Sequence, residues 1–206
     1  MIIEFADILK AYGKPIRGVI HIGAHYGQEY DSYVKHGVKK MIFFEPLEDN
    51  YRKLLWKVGE DPNVETFKMA LGNEVGAKKM YVESANKGMS SSVLAPGTHL
   101  KMYPHIVFNK REVVHMEKLD NVEFDRGLYD MINIDVQGYE LEVFKGARKT
   151  LESINLVYTE VNTEEVYINC ALRSEIDDYL SEWGFVSTLE GFPYDNAWGD
   201  VLYIKK

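Results

Sequence analysis

Apolar positions along the chain come in short runs separated by amphipathic stretches, and this alternation predicts a mixed α/β protein. Residues 2–12 set Ile2, Ile3, Phe5, Ile8, Leu9 and Tyr12 at helical spacing, with Gly13 ending the helix and Pro15 preventing its return. Residues 18–22 form an apolar strand, and the glycine turn 23–27 leads into a helix over about 27–35. A second strand covers 40–45, a helix 49–57 and an alternating third strand 64–69. The order β-α-β-α-β implies parallel strands by the crossover rule.

The middle of the chain breaks this rhythm. Residues 79–83 look like a short strand, 84–97 are polar and rich in small residues around Ser90-Ser91-Ser92, and 107 and 112–117 look like further strand pieces. Long loops in compact domains are usually functional or mobile, so residues 84–117 are expected to be a substrate-facing insert. The parallel pattern then resumes with a strand over 129–134, a helix over 138–151, a strand over 155–161 and a helix over 172–183. Strands at 185–189 and 201–204 are joined through 190–200, which contains Gly191, Pro193 and Gly199 and has no helical pattern, so these two strands are most simply antiparallel.

Composition narrows the reading. With 206 residues, the chain is expected to be one domain over 1–206, and its 46% hydrophobic content is ordinary for a globular protein. Net charge is −8, from 24 basic and 32 acidic residues, which argues against a nucleic-acid surface. Cys170 is alone, so no internal disulfide can form. No run approaches the roughly 20 apolar residues of a membrane span, and the first residues carry two acids and no cleavage-like site. A cytoplasmic protein with no membrane partner is expected.

The chemistry is expected at strand ends. A strand, a glycine turn, a helix and an acid (Glu45) closing the next strand make a nucleotide-ribose site in open sheets. A closing antiparallel hairpin favours an S-adenosylmethionine site over a dinucleotide site, because dinucleotide-binding sheets usually finish with parallel strands. Four segments, VIHIGAHYGQ (19–28), FFEP (43–46), ALGNEVG (70–76) and INIDVQGYELEVFKGA (132–147), together with the closing GDVLYIKK (199–206), resemble the FkbM-type methyltransferase family. The resemblance implies a class I methyltransferase fold: a Rossmann-like, doubly wound, mainly parallel seven-stranded sheet with a C-terminal antiparallel hairpin. It also implies methyl transfer from S-adenosylmethionine, typically to a hydroxyl oxygen. Many family members carry an acid where this chain has His21.

Gly23, Ala24, His25 and Gly27 are expected to cradle the methionine end of the cofactor through backbone N–H groups, and Glu45 to take the ribose diol. Met69, Ala70 and Leu71 are placed at the adenine edge. Asp135, at the end of a buried strand, is a candidate catalytic carboxylate and cofactor contact, although an acid there can equally cap the following helix. Glu140 is read as a complement to that helix's dipole. Glu160 is the second candidate catalytic acid, and Ser91, Ser92, Gln137 and Asn162 are placed on the acceptor. Asp135, Glu160 and Asn162 are also the oxygen-ligand types that Mg²⁺ takes in metal-dependent catechol-type O-methyltransferases. Acceptor orientation is the preferred reading, and no metal ligand is assigned. The acceptor is a sugar, glycan or other small molecule. A nicotinamide-dependent oxidoreductase and a non-catalytic nucleotide-binding module remain as alternatives.

Overall fold

The computed structural model describes residues 2–193 and 196–206. The expected 190–200 connection therefore lies partly outside the described residues, at Tyr194 and Asp195, as does Met1. Seven strands form the main sheet: β1 (Gly18–Ile22), β2 (Lys40–Phe44), β3 (Val64–Phe67), β7 (Met131–Ile134), β8 (Leu156–Asn162), β9 (Phe185–Gly191) and β10 (Trp198–Lys205). Their spatial order is β3-β2-β1-β7-β8-β10-β9. The pairs β3–β2, β2–β1, β1–β7 and β7–β8 are parallel, while β10 runs antiparallel to both β8 and β9. The expected closing hairpin is present, and the parallel finish of a dinucleotide-binding sheet is not.

Both faces of the sheet are covered, which is why its central strands read as unbroken apolar runs. Ile20, Ile22, Ile132, Ile134, Val157 and Val161 face helices α5 (Glu140–Lys145), α6 (Arg148–Ser153) and α7 (Arg173–Glu182). The alternate positions Val19, Met41, Phe43, Met131, Tyr158 and Leu202 pack against α1 (Phe5–Tyr12), α2 (Tyr30–Lys35) and α3 (Glu48–Val58). The 4-residue helix α4 is His99–Met102. A second sheet, which the sequence reading did not resolve, has the order β4 (Ala70–Leu71), β6 (Lys110–Glu117), β5 (Gly76–Val82).

Several expected boundaries change for physical reasons. The first helix begins at Phe5 rather than residue 2: Glu4 is extended at φ −66° and ψ 141°, and the segment before it is anchored by the Ile2 and Ile3 N–H groups on Asp200 Oδ2 (2.6 Å) and the Tyr158 hydroxyl (3.1 Å). The helix expected from 27 begins at Tyr30, after a turn in which Gly27 is left-handed at φ +74°. The helix expected over 138–151 is two helices. A Cβ on Gly146 would sit 2.0 Å from the Gly72 carbonyl oxygen, so the chain breaks where its backbone passes that of Gly72. The strand expected over 64–69 stops at Phe67, and Ala70–Leu71 pair with Met116–Glu117 in the second sheet. That sheet also claims residues 110–117, the end of the expected insert.

Candidate active site

Strand register builds the site. Ile22 lies level with Phe44 on one side and Ile134 on the other, and Ile134 lies level with Thr159. The residues that follow, Glu45, Gly23, Asp135 and Glu160, therefore emerge side by side at the C-terminal edge of four adjacent parallel strands. Asp200 pairs with Glu160 and extends the row onto β10. The strand order reverses between the parallel neighbours β1 and β7, with β2 and β3 laid down on one side and β8 on the other, and this is the position where open α/β sheets bind ligands. Gly23 is required there: it is left-handed at φ +81°, and a Cβ would stand 1.9 Å from the Asp135 carbonyl oxygen. A cavity of about 700 Å³ opens over the row, within the range of small-molecule and cofactor sites.

One end of the cavity is lined by Gly23, Ala24, His25, Glu45, Met69, Ala70 and Leu71. Glu45 is buried, and its carboxylate is held by the His25 N–H on Oε2 (2.9 Å) and the Leu47 N–H on Oε1 (2.8 Å). Burial pushes its pKa up to about 7, against the opposing pull of these N–H donors. The Asn50 side chain also acts on this carboxylate and lowers its pKa; a carboxylate offers about four lone-pair sites, so capacity remains for a further donor such as a ribose hydroxyl. The turn itself is differently engaged from expectation. The Gly23 and Ala24 N–H groups both donate to the Phe44 carbonyl, His25 donates to Glu45, and Gly27 donates to the Ala24 carbonyl. These N–H groups are thus committed within the protein. Gly27 does not line the cavity; a Cβ there would meet the Leu54 side chain at 2.8 Å, so it is a packing glycine against α3. The turn is also strapped from above: His25 Nε2 and the Tyr26 hydroxyl both reach the Lys87 carbonyl, at 2.9 and 2.7 Å.

The other end of the cavity is acidic. One carboxylate oxygen from each of Asp135, Glu140 and Glu160 lies within 4.8 Å of the others. Gln137, left-handed at φ +58°, donates its amide to Asp135 Oδ1 (2.7 Å) and Glu160 Oε2 (3.1 Å) and accepts from the Tyr167 hydroxyl (2.6 Å). Asp135 does not cap α5. Nor does any other side chain among the described residues; Glu140 Oε1 instead reaches back into the preceding turn and accepts the N–H groups of Val136 (3.0 Å) and Gly138 (3.1 Å). Desolvation, reinforced by the neighbouring acids, raises the pKa values of Asp135, Glu140 and Glu160, with Glu140 and Glu160 buried and Asp135 open to the cavity.

The acceptor-side expectations divide. Ser91, Gln137, Asp135 and Glu160 line the cavity, whereas Ser92 and Asn162 do not. The Ser92 hydroxyl donates to the Gln137 carbonyl (2.7 Å) and accepts from the Leu94 N–H (3.0 Å), tying the insert to the 135–140 turn. Asn162 is fully buried, and neither atom of its amide has a hydrogen-bond partner. Within the expected insert, Met89, Ser90, Ser91, His99, Tyr103, His105 and Ile106 form part of the wall, but β6 does not. Trp198 also lines it, with its Nε1–H on the Tyr103 hydroxyl (2.9 Å).

Sequence reasoning missed three residues. Glu140 was read as a dipole complement but is a buried member of the acid cluster. Asp200, placed in a connection, lines the cavity and accepts from Ile2 N–H and the Tyr158 hydroxyl. His99, passed over for lack of metal-ligand spacing, lines the cavity with Nδ1 unpartnered, and burial lowers its pKa. The spacing of Asp135 to Glu140 before an apolar helix was the one signal that could have flagged Glu140.

His21 lines the cavity wall and is held in a buried hydrogen-bonded chain. Asn133 Nδ2 donates to the Tyr33 hydroxyl (2.6 Å), and that hydroxyl lies 3.1 Å from His21 Nδ1. With the hydroxyl hydrogen directed at Nδ1, the ring is neutral with its proton on Nε2. Burial draws its pKa down to about 4.

A doubly wound sheet ending in an antiparallel hairpin, with a glycine turn, a strand-end acid and a cavity at the switch point, defines a class I methyltransferase. Residues 21–187 match the model of the methyltransferase FkbM domain, and the chain belongs to that family. It is similar to 2-O-methyltransferase NoeI of Sinorhizobium fredii, 26% identical over 204 residues, covering 95% of this chain and 82% of that protein. Among solved structures it is similar to magnesium protoporphyrin IX methyltransferase from Synechocystis PCC 6803 with bound SAM, with a TM-score of 0.57 at 10% identity, covering 98% of this chain and 76% of that one. It is likewise similar to N-methyltransferase NodS from Bradyrhizobium japonicum WM9, with a TM-score of 0.55 at 8% identity, covering 97% and 93%. No helix among the described residues is long and apolar enough to cross a membrane.

Proposed function

We propose that this protein transfers a methyl group from S-adenosylmethionine to a hydroxyl oxygen of a sugar, glycan or other small molecule. The observation that carries this reading is the row Glu45, Gly23, Asp135, Glu160 at the edge of four level strands, opening into one cavity. The residues fit the cofactor. Glu45 is fixed by two N–H donors with lone pairs to spare for a diol, and Leu47, Met69 and Leu71 give an apolar wall for a base. The name of the Sinorhizobium relative supports oxygen as the accepting atom.

When bound, S-adenosylmethionine supplies a methyl already activated on a sulfonium. The work left to this chain is to align the acceptor and manage its proton. Alignment of two reactants is worth about 7–11 kcal/mol in well-oriented systems. Asp135 is open to the cavity, and Gln137 fixes one of its oxygens, so the other can hold an acceptor hydroxyl. Its raised pKa moves it toward the range of a group that takes a proton near neutrality. Tyr103 and Trp198 offer flat apolar faces of the kind on which sugar rings pack. The 84–106 segment, tied down through Lys87 and Ser92, excludes water from the transfer.

The test is calorimetry with S-adenosylhomocysteine, followed by a labelled-methyl transfer screen over hydroxylated acceptors read by product mass. A folded protein that binds neither S-adenosylmethionine nor S-adenosylhomocysteine refutes the cofactor assignment. Transfer only to nitrogen or carboxylate acceptors refutes the hydroxyl assignment.

A further inference from the structure

We propose that Asp135, Glu140 and Glu160 form a binding site for a single hard divalent cation, of the Mg²⁺ or Mn²⁺ type, at the acceptor end of the cavity. The cluster is compact, with one oxygen from each residue within 4.8 Å of the others, a spacing that lets all three reach one ion. An acid cluster alone would mean little, but the hydrogen bonding around this one is half-complete in a regular way. Each carboxylate has one oxygen occupied by N–H donors. Glu140 Oε1 takes the backbone of Val136 and Gly138, while Asp135 Oδ1 and Glu160 Oε2 share the Gln137 amide. Each has one oxygen left over: among the described residues, Asp135 Oδ2 and Glu160 Oε1 accept no hydrogen bond.

The third leftover oxygen is the independent observation. Glu140 is fully buried, and its Oε2 has no partner at all. A buried carboxylate oxygen without a donor is costly, and a cation satisfies it. The backbone N–H groups on Oε1 pull against the desolvation that raises the pKa of that same carboxylate, and a bound cation would act in the same direction as they do. No Lys or Arg lines the cavity among the described residues. Three oxygens from one side leave the remaining positions of an octahedral ion for water and an acceptor hydroxyl.

The Mg²⁺ set considered from sequence used Asn162 as the third ligand. The structure brings Glu140 to the cluster as a third carboxylate, fully buried like Asn162 and, like it, behind the residues that line the cavity. The role of the site rests on the proposed methyl transfer, because a cation here would polarise the acceptor hydroxyl, and Asp135 would then hold the ion rather than a proton. Its existence does not rest on that reading.

The experiment is titration of the purified, chelator-stripped full chain with Mn²⁺ alone and Mg²⁺ alone, by calorimetry and by Mn²⁺ electron paramagnetic resonance. S-adenosylhomocysteine binding is measured on the same samples. Wild type should bind one ion per chain saturably, Glu140→Gln and Glu160→Gln should each weaken binding at least tenfold, and Glu142→Gln, on the same helix outside the cluster, should leave it unchanged. Retained S-adenosylhomocysteine binding shows that a variant is folded, and should Glu140→Gln fail that check, Glu160→Gln carries the comparison. No saturable ion binding, or binding that both folded variants leave intact, overturns the site. Ion binding without S-adenosylhomocysteine binding supports the site while refuting the proposed function, and the reverse result refutes only the site.

Discussion

Glu45 gives the sharpest quantitative test of the cofactor assignment. Its two oxygens are already oriented by the His25 and Leu47 N–H groups, so a ribose diol would meet a fixed acceptor. Hydrogen bonds to a charged group contribute about 1.5–3 kcal/mol each. Replacing Glu45 by Ala removes two and also frees two N–H groups, which water entering the site can partly satisfy. The expected loss is about 2–4 kcal/mol, or roughly 30- to 700-fold in S-adenosylhomocysteine affinity. The pH dependence supplies a second readout. Burial raises the Glu45 pKa to about 7 in the free protein, and the ionised form is the better diol acceptor. At pH 6 only about a tenth of the protein has Glu45 ionised, so wild-type affinity should be about tenfold weaker at pH 6 than at pH 8. Glu45→Gln cannot titrate and should lose that slope while remaining folded. The assay is calorimetry of S-adenosylhomocysteine with wild type and both variants at the two pH values. Affinity of Glu45→Ala within twofold of wild type would refute the ribose assignment, and a flat wild-type profile would refute the ionisation argument.

Other consequences follow from single residues. Gly23→Ala forces a Cβ to 1.9 Å from the Asp135 carbonyl oxygen at a left-handed φ, so it should destabilise by more than about 3 kcal/mol in urea unfolding; a loss under about 1 kcal/mol contradicts the close approach. His21 has a folded pKa of about 4, below its ordinary 6.5, so its contribution to stability is complete above about pH 6.5 and is lost as pH falls toward 4. Relative to His21→Gln, wild type should lose about 3 kcal/mol between pH 7 and pH 4, and parallel stability curves would show that the ring is not held neutral. Asn162→Leu removes two unpartnered buried polar atoms and should leave stability unchanged or raise it by about 1–2 kcal/mol with cofactor binding intact; a fall in methyl transfer by this folded variant would return Asn162 to the acceptor site. Ser92→Ala cuts the link to the Gln137 carbonyl and should cost about 1 kcal/mol in thermal unfolding, against no change if the tether is idle.

The sheet was legible because its strands are buried on both faces. Runs such as GVIHI and MIFF have little polar alternation to confuse the period, and the helix-free 190–200 connection announced the hairpin. Glu45 and Asp135 were legible because each follows directly on a strand, where an apolar run abruptly meets a carboxylate, and Glu160 because it comes near the end of β8. What stayed hidden depends on tertiary approach. The break at Gly146 is caused by Gly72, which lies 74 positions away in the chain. The segment before α1 is anchored by Asp200 and Tyr158, far along the chain, which accept the N–H groups of Ile2 and Ile3. Glu140 sits at a helix start, where dipole and capping arguments account for an acid completely, so nothing local marks its second oxygen as unmet.

The same register argument explains why one motif does so much in this chain. Parallel strands that end level must present their next residues as neighbours, about 4.8 Å apart across each pair. Asp135 and Glu160, 25 positions apart in the chain, are therefore forced together by the β7–β8 pairing alone. Glu140 reaches the same point by another route. Left-handed Gln137 and Gly138 fold the chain back after β7, and the Val136 and Gly138 N–H groups pull the Glu140 carboxylate into the turn. The 135–140 stretch thus builds its own acid pair locally, and the sheet supplies the third acid. Gln137 then has the one geometry in which its amide touches both sheet-end carboxylates while its oxygen meets Tyr167. Replacing Gln137 by Glu would put a fourth carboxylate in that position, so the amide at 137 is what allows three acids to stand this close.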